Sequence, residues 1–211
     1  MPRTADHDAR RSQISRAVCT LIAEGGMRAV TVARVAERGG VSVGLVQHYF
    51  PTKDDMLLRA FHEAGSRIRA RVGEHIRAGS AHRRPISAIL LDAVCELLPL
   101  DEERRAEFRV ARTFSARSLD NPALADIDAE TAEGVRRDIA QAVHNGKECG
   151  EVDPGADPAV TSLRLAAVTE GLAARLYRAP EHSVVPADDT ATEILRAEIA
   201  AVFTGHCRQY G

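Results

Sequence analysis

Between Val43 and His48 the chain gathers side chains able to read the edge of a DNA groove. Gln47 carries an amide that donates and accepts at once, matching the N6 and N7 edge of adenine, while Val43 offers an apolar surface suited to a thymine methyl. Gly44 has no side chain, so the backbone there can approach a duplex closely. His48 can meet a phosphate or a base, and an exposed neutral imidazole is the simpler alternative. Leu45 is better suited to packing against a neighbouring helix than to base contact.

The flanking residues predict the elements that hold this group in place. Thr31 is a hydroxyl N-cap, Val32, Val35 and Ala36 follow at helical spacing, and Gly39-Gly40 supplies the left-handed conformation that ends a short helix. Ser42 then caps a second helix with Val46 and Phe50 inward at an i, i+4 interval, leaving Val43, Gln47 and His48 on other faces. Pro51 stops it, and Thr52 caps a third. Upstream, Asp8 to Gly25 puts Ile14, Ala17, Val18, Leu21 and Ile22 on one face of a supporting helix. Arg3, Arg10 and Arg11 precede or open that helix, either as a basic arm for phosphate or minor groove or as a solvated helix start. Two short helices around a glycine turn make a helix-turn-helix pattern.

The run Gly40, Val41, Ser42, Gly44, His48, Tyr49, Phe50 and Lys53, followed by Met56-Leu57, resembles the DNA-binding domain of TetR-family transcriptional repressors. The resemblance is specific because the aromatic pair and the lysine must coincide with the glycine and the serine at fixed offsets. It implies phosphate contacts from Thr31, Tyr49 and Lys53, and helix N-termini beside a cation suit that role physically. Together with Ser42, Val43, Gly44, Gln47 and His48 these form the expected DNA-binding set. The family more often carries an aromatic at the place of Gln47, which implies a different operator preference, and similar proteins often carry threonine at the place of Leu45, so that Val43 and Leu45 leave fewer direct hydrogen bonds to bases.

Charge is distributed to match. The whole chain stands at −2, but residues 1–53 carry eight basic against four acidic side chains, while the rest carries twenty basic against 26 acidic. A basic head on an acidic body suits local phosphate neutralisation at one end. Apolar residues make up 45% of the 211, enough for a sizeable core, and aromatics only 4%, with Ala, Arg, Glu and Leu recurring as in a helical protein. No run of about twenty apolar residues is present to span a membrane, and the charged N-terminus lacks a signal-peptide core, so the expected compartment is the cytoplasm. The four cysteines, Cys19, Cys95, Cys149 and Cys207, form no C-x-x-C pair and are expected as reduced thiols; no cofactor or metal site is expected.

Further along, Leu57, Phe61, Ala64, Ile68, Val72 and Ile76 predict one long helix to about Ala78. Pro85 opens a helix expected to be buried centrally, and Asp101 caps another with a core face of Phe108, Ala111, Ser115 and Leu119. Asn121-Pro122 starts a helix fraying at Asn145-Gly146, a loop covers Gly150 to Asp157, and Asp157-Pro158 restarts a helix with two apolar faces. One face holds Leu165, Val168, Leu172 and Leu176, the other Val160, Leu163, Ala167 and Ala174. A loop from Arg178 to Pro186 precedes a last helix from about Ala187 to Phe203.

The expected fold is all-α, about nine helices, with a three-helix helix-turn-helix head (1–51) on a larger helical domain for effector binding and dimerisation (52–211). The family resemblance, extending to a BetI-like subgroup around Leu97 to Val110, implies a homodimer on a pseudo-palindromic double-stranded operator and a small-molecule pocket among the middle helices. The interface would draw on Leu163, Leu165, Val168, Leu172, Leu176, Leu195, Ile199 and Val202. Candidates for the pocket are Phe61, His62, Cys95 and Phe108, with Arg112, Phe114, Ser115 and Tyr177. Arg112 is expected to be partly buried and to favour an anionic group. In part of that subgroup the resemblance implies choline-pathway control, but choline is not adopted as the ligand, because without Trp an aromatic cage would rest on Phe and Tyr alone. The expected function is a repressor released from operator DNA by its effector. A DNA-binding protein without effector is the alternative, and an all-helical enzyme a remoter one, since H-E-x-x-H, E-x-x-H, G-x-S-x-G and Gly-rich phosphate motifs are all absent.

Overall fold

The computed structural model describes the backbone of residues 3–178 and 187–208 and the side chains of 7–178 and 189–208. Among these residues the regular structure is all-helical: α1 Arg3–Gly25, a 3₁₀ turn Gly26–Arg28, α2 Val32–Gly39, α3 Val43–Tyr49, α4 Lys53–Ala81, α5 Ile86–Cys95, α6 Glu102–Ser118, α7 Pro122–Cys149, α8 Pro158–Arg178 and α9 Ala187–Ala200. The loop expected at Arg178 to Pro186 falls, from residue 179 onward, outside the described residues.

Cap chemistry sets most of these boundaries. Thr31, Ser42 and Asp101 each accept a hydrogen bond from the amide three residues on, and Asn121 and Asp157 accept from the amide two residues on. Gly40 closes α2 at φ 60°, a left-handed conformation that glycine adopts without strain. Some boundaries differ from expectation. Pro85 is the N-cap of α5 rather than its first residue. α7 runs through Asn145-Gly146 to Cys149, because Gly146 is not a stop but a point of close packing: a Cβ there would lie 2.6 Å from Val152 and 2.8 Å from Phe203.

The chain divides into two compact units, Met1–Arg67 with Asp101–Asp128, and Ile68–Leu100 with Ala129–Gly211. The first is built on Ile14, Val18, Leu21 and Ile22 of α1, Val35 of α2, Val46 of α3, and Met56 and Leu57 of α4. α6 joins this core through Val110 and Phe114, and the Phe114 ring stacks on Phe61 with centroids 4.0 Å apart. The α6 face is one residue out of register with expectation: Glu107, Val110, Phe114 and Ser118 point inward, Phe108, Ala111 and Ser115 are half-buried, and Leu119 is 85% exposed. The charge of Glu107 disguised the stripe. It is 1% exposed and bonded to Arg67 Nε at 2.9 Å, so its carboxylate enters the core already paired.

In the second unit α8 turns Ser162, Leu165, Thr169, Ala173 and Leu176 inward, and α9 meets it with Ala191, Leu195 and Ile199. The two buried hydroxyls donate within the helix, Thr169 Oγ1 to Leu165 O and Ser162 Oγ to Ala159 O, and Ser162 Oγ also accepts from Arg136 Nη1 of α7 at 3.1 Å. The α5 helix is half-buried along most of its length rather than central, with Leu90, Leu91 and Val94 covered. Its first amides, Ile86 N and Ser87 N, donate to the carboxylate of Glu151 at 2.9 and 3.1 Å. α9 ends at Ala200, short of Phe203, and the chain then folds back on the end of α7 through Gly205 N to Glu151 O and Arg208 N to Cys149 O. No described helix is long and apolar enough to cross a membrane.

Candidate nucleic-acid interface

The inward and outward faces of α3 separate cleanly. Val46 and the following Phe50 are buried in the core of the first unit, while Val43, Gly44, Gln47 and His48 face solvent and Leu45 is half-buried. Val43 is 45% exposed, and a Cβ on Gly44 would meet nothing within 4 Å. No packing reason within the chain requires glycine at 44.

Around α3 the hydroxyl donors fall into two kinds. Thr31 Oγ1 accepts from Arg34 N and Ser42 Oγ from Leu45 N, and no described group takes either hydroxyl proton, so both remain able to donate to a phosphate. Thr52 differs. It forms a capping box with Asp55, in which Thr52 N and Oγ1 donate to Asp55 Oδ2 at 3.0 and 2.7 Å and Asp55 N donates to Thr52 Oγ1 at 3.1 Å. With Asp54 and Asp55 in its first turn, the α4 N-terminus offers an anion little beyond Lys53, which is exposed and in no ion pair among the described residues.

Tyr49 is half-buried rather than projecting. Its hydroxyl shares a hydrogen bond with His7 Nδ1 at 2.8 Å, its ring lies 5.8 Å from the Arg11 guanidinium, and His48 packs edge-on against it. The phenol therefore stands inside a cluster with the start of α1. His7 was not legible in the sequence as part of the site, because nothing in its spacing links it to a residue 42 positions later. The same holds for Gln13, whose amide donates to Gly39 O at 2.8 Å and braces α2 on α1. Because α1 begins at Arg3, Arg10 and Arg11 lie on a helix and not on a flexible arm; the Arg3 side chain lies outside the described ones.

Not every cation of the head is available. Arg38 is bonded twice to Glu24, at 2.6 and 2.8 Å, and that bond holds the Glu24 carboxyl below its ordinary range. Asp54 is bonded through both oxygens by Arg117 and again by Asn121, and the Arg117 bond is the main cause of its lowered pKa. These pairs fix α2 to α1 and the foot of α4 to the end of α6.

The residues expected to line an effector pocket are scattered in their present roles. Phe61 and Phe114 are stacked core of the first unit, and Ser115 donates to Asp128 at 2.9 Å. His62 is exposed on an open cleft of about 270 Å³ that it shares with Arg11, Tyr49, Leu58 and Arg59, so it belongs to the end that carries α3. Arg112, expected to be partly buried, is exposed; Phe108 is half-buried. Cys95 and Tyr177 lie half-buried in the second unit.

The dimer candidates also divide. Leu165, Leu176, Leu195 and Ile199 are buried within one chain, and Val168, Leu172 and Val202 are half-buried. The sequence showed two apolar faces on α8 without showing which one its own chain covers. The uncovered one holds Val160 and Leu163, 65% and 62% exposed, with Ala167 and Gly171.

Residues 14–60 match the family described as bacterial regulatory proteins, tetR family, and residues 87–204 match the C-terminal domain of BetI-type transcriptional repressors. The chain is 27% identical over 173 residues to the HTH-type transcriptional regulator PksA of Bacillus subtilis, covering 82% of this chain and 81% of that protein. To the regulator BetI of Escherichia coli O127:H6 it is 37% identical over 87 residues, 40% of this chain and 45% of the relative. A solved transcriptional regulator from Rhodococcus sp. Rha1 superposes with a TM-score of 0.76 at 28% identity, over 92% of this chain and 96% of the other.

Proposed function

The chain belongs to the TetR family of helix-turn-helix transcriptional regulators, with a BetI-type C-terminal domain, and from that membership we propose a homodimeric repressor released from its operator by a small-molecule effector. The observation that carries the reading is the division of α3, with Val46 sunk in the core and Val43, Gly44 and Gln47 presented outward over open space. Val43 and Gln47 read bases, Gly44 admits the backbone, and Thr31, Ser42, His48, Tyr49 and Lys53 hold phosphates. Residues 1–51 form the DNA-binding domain and 52–211 the effector and dimerisation domain, acting in the cytoplasm where the DNA lies.

Two copies pair through the uncovered faces of α8 and α9. Val160, Leu163, Ala167 and Gly171 on α8 stand with Ile194 and Ala197 on α9 as an exposed stripe of aliphatic and small side chains, and a Cβ on Gly171 would meet nothing within its own chain. Pairing there presents two α3 helices to successive major-groove turns of a pseudo-palindromic site.

Release follows if the effector favours one placement of α4, which belongs to the first unit up to Arg67 and to the second from Ile68. A tenfold change in operator occupancy requires about 1.4 kcal/mol of differential effector binding, a modest demand. The test is a metabolite panel on the protein bound to its own promoter DNA: at least one compound should dissociate the complex. A compound that binds tightly and leaves operator affinity unchanged contradicts this mechanism for it.

A further inference from the structure

Outside the DNA interface, one cluster of donor atoms has no part in the function described above. The thiols of Cys149 and Cys207 and a carboxylate oxygen of Glu151 all lie within 4.8 Å of one another. Cys149 and Glu151 are 3% and 2% exposed, and Cys207 is half-buried at the surface.

The backbone builds this meeting point. Cys149 is the last residue of α7, and Gly150 reverses the chain at φ 96°, a left-handed conformation costly for any other residue, so that the donors on either side of it converge. The tail after α9 is pinned against the same stretch by Gly205 N to Glu151 O at 2.9 Å and Arg208 N to Cys149 O at 2.7 Å, which delivers Cys207. Gly205 is packed against the backbone of Gly150, and Arg208 passes so close that a Cβ on Gly150 would lie 2.7 Å from its Nε.

We propose that Cys149, Glu151 and Cys207 form a binding site for a soft divalent cation of the zinc class, with a solvent molecule as fourth ligand. Two sulfurs and one carboxylate oxygen are a donor set such a cation takes, and at bond lengths of about 2.3 Å to sulfur and 2.1 Å to oxygen a tetrahedral site separates those two donors by about 3.6 Å. The Cys149 Sγ to Glu151 Oε1 distance is 3.6 Å. The Cys149 thiol has two acceptors in reach, Gly146 O at 3.5 Å and the Glu151 carboxylate, and a cation between sulfur and carboxylate would replace the thiol proton. On binding, both S–H bonds break, two S–metal bonds form, and the two protons pass to solvent.

Charge favours the exchange. Two thiolates and a carboxylate around a divalent ion leave a net −1, set against the α5 amides that already bond Glu151 and against the Arg208 guanidinium. Each carboxylate oxygen uses one acceptor site for an amide and keeps another for the metal. A filled site ties the end of α7, the start of α5 and the C-terminal tail into one staple.

The experiment titrates the reduced, metal-stripped full-length protein with Co²⁺ and then Zn²⁺. One Co²⁺ per chain with a thiolate-to-metal charge-transfer band, displaced by Zn²⁺, is expected. Cys207→Ser, chosen because Cys207 follows the last helix, should keep the parent's circular dichroism spectrum and lower Zn²⁺ affinity more than about 100-fold, since even outer-shell changes cost 10–100-fold. Cys149→Ser should do the same, while Cys19→Ala keeps the metal. Zn²⁺ should raise the melting temperature of the parent protein and not that of Cys207→Ser. Absence of stoichiometric metal in the parent protein overturns the proposal, as does binding that survives Cys207→Ser. A metal-free Cys149–Cys207 disulfide formed in preference to metal binding also overturns it.

Discussion

The hydroxyl of Tyr49, on the last turn of α3, shares a 2.8 Å hydrogen bond with Nδ1 of His7 near the start of α1. The first helix thus supports the C-terminal end of α3 directly, with Arg11 beside the same ring. Replacing Tyr49 by Phe keeps the packing and deletes one exposed hydrogen bond, so stability should fall by no more than about 1 kcal/mol. Operator affinity should fall across all sequences with an unchanged salt slope, because no charge is lost. Fluorescence anisotropy at several salt concentrations measures both; unchanged affinity would remove Tyr49 from the interface.

Gly44 separates fold from function. Its Cβ position is open and its helix gains from alanine, so Gly44→Ala should leave the melting temperature equal or higher, by up to about 1 kcal/mol in stability. Operator binding should weaken at least tenfold if the backbone lies against DNA. A variant that melts higher and binds equally well would place the duplex elsewhere.

The clamp of Arg117 and Asn121 on Asp54 makes a pH prediction. The Arg117 hydrogen bond holds the folded Asp54 carboxyl below its unfolded value, so its stabilisation is full above the ordinary carboxylate range and is lost as pH falls through the lowered folded value. Asp54→Asn should cost about 0.5–1 kcal/mol at neutral pH and nothing once the parent carboxyl is protonated. Urea melts at neutral and strongly acid pH check it; a constant difference at both would show that the ionised carboxyl is not the cause.

For the dimer, Leu163→Asp places a charge on a side chain 62% exposed in the single chain, so the monomer should fold normally. Sedimentation should then report a monomer, and affinity for a two-half-site operator should drop far more than affinity for a half-site. A dimer that persists with Leu163→Asp would move the interface off this face of α8.

Much of this architecture was legible because it is local. Thr31, Ser42, Asp101, Asn121 and Asp157 announce their helices through caps that depend on residues two or three positions away, and the i, i+4 pair Val46 and Phe50 fixes which side of α3 is buried. What was not legible depends on distant partners. Glu107 reads as a surface charge until Arg67 is placed beside it, and Gly146 reads as a helix stop until Val152 and Phe203 are seen against it. Tyr49 with His7, and Cys149 with Cys207, are pairings that no spacing rule reaches.

The central claim is that α3 reads DNA sequence from its outward face, and one comparison tests it most directly. Binding curves for the parent protein, Gln47→Ala and Lys53→Ala should be measured on the operator and on its single base-pair variants. Lys53→Ala should weaken every duplex alike and lower the salt slope by about 1, whereas Gln47→Ala should lose about 1–3 kcal/mol of discrimination at particular base pairs. Equal losses on every variant for Gln47→Ala would contradict the account.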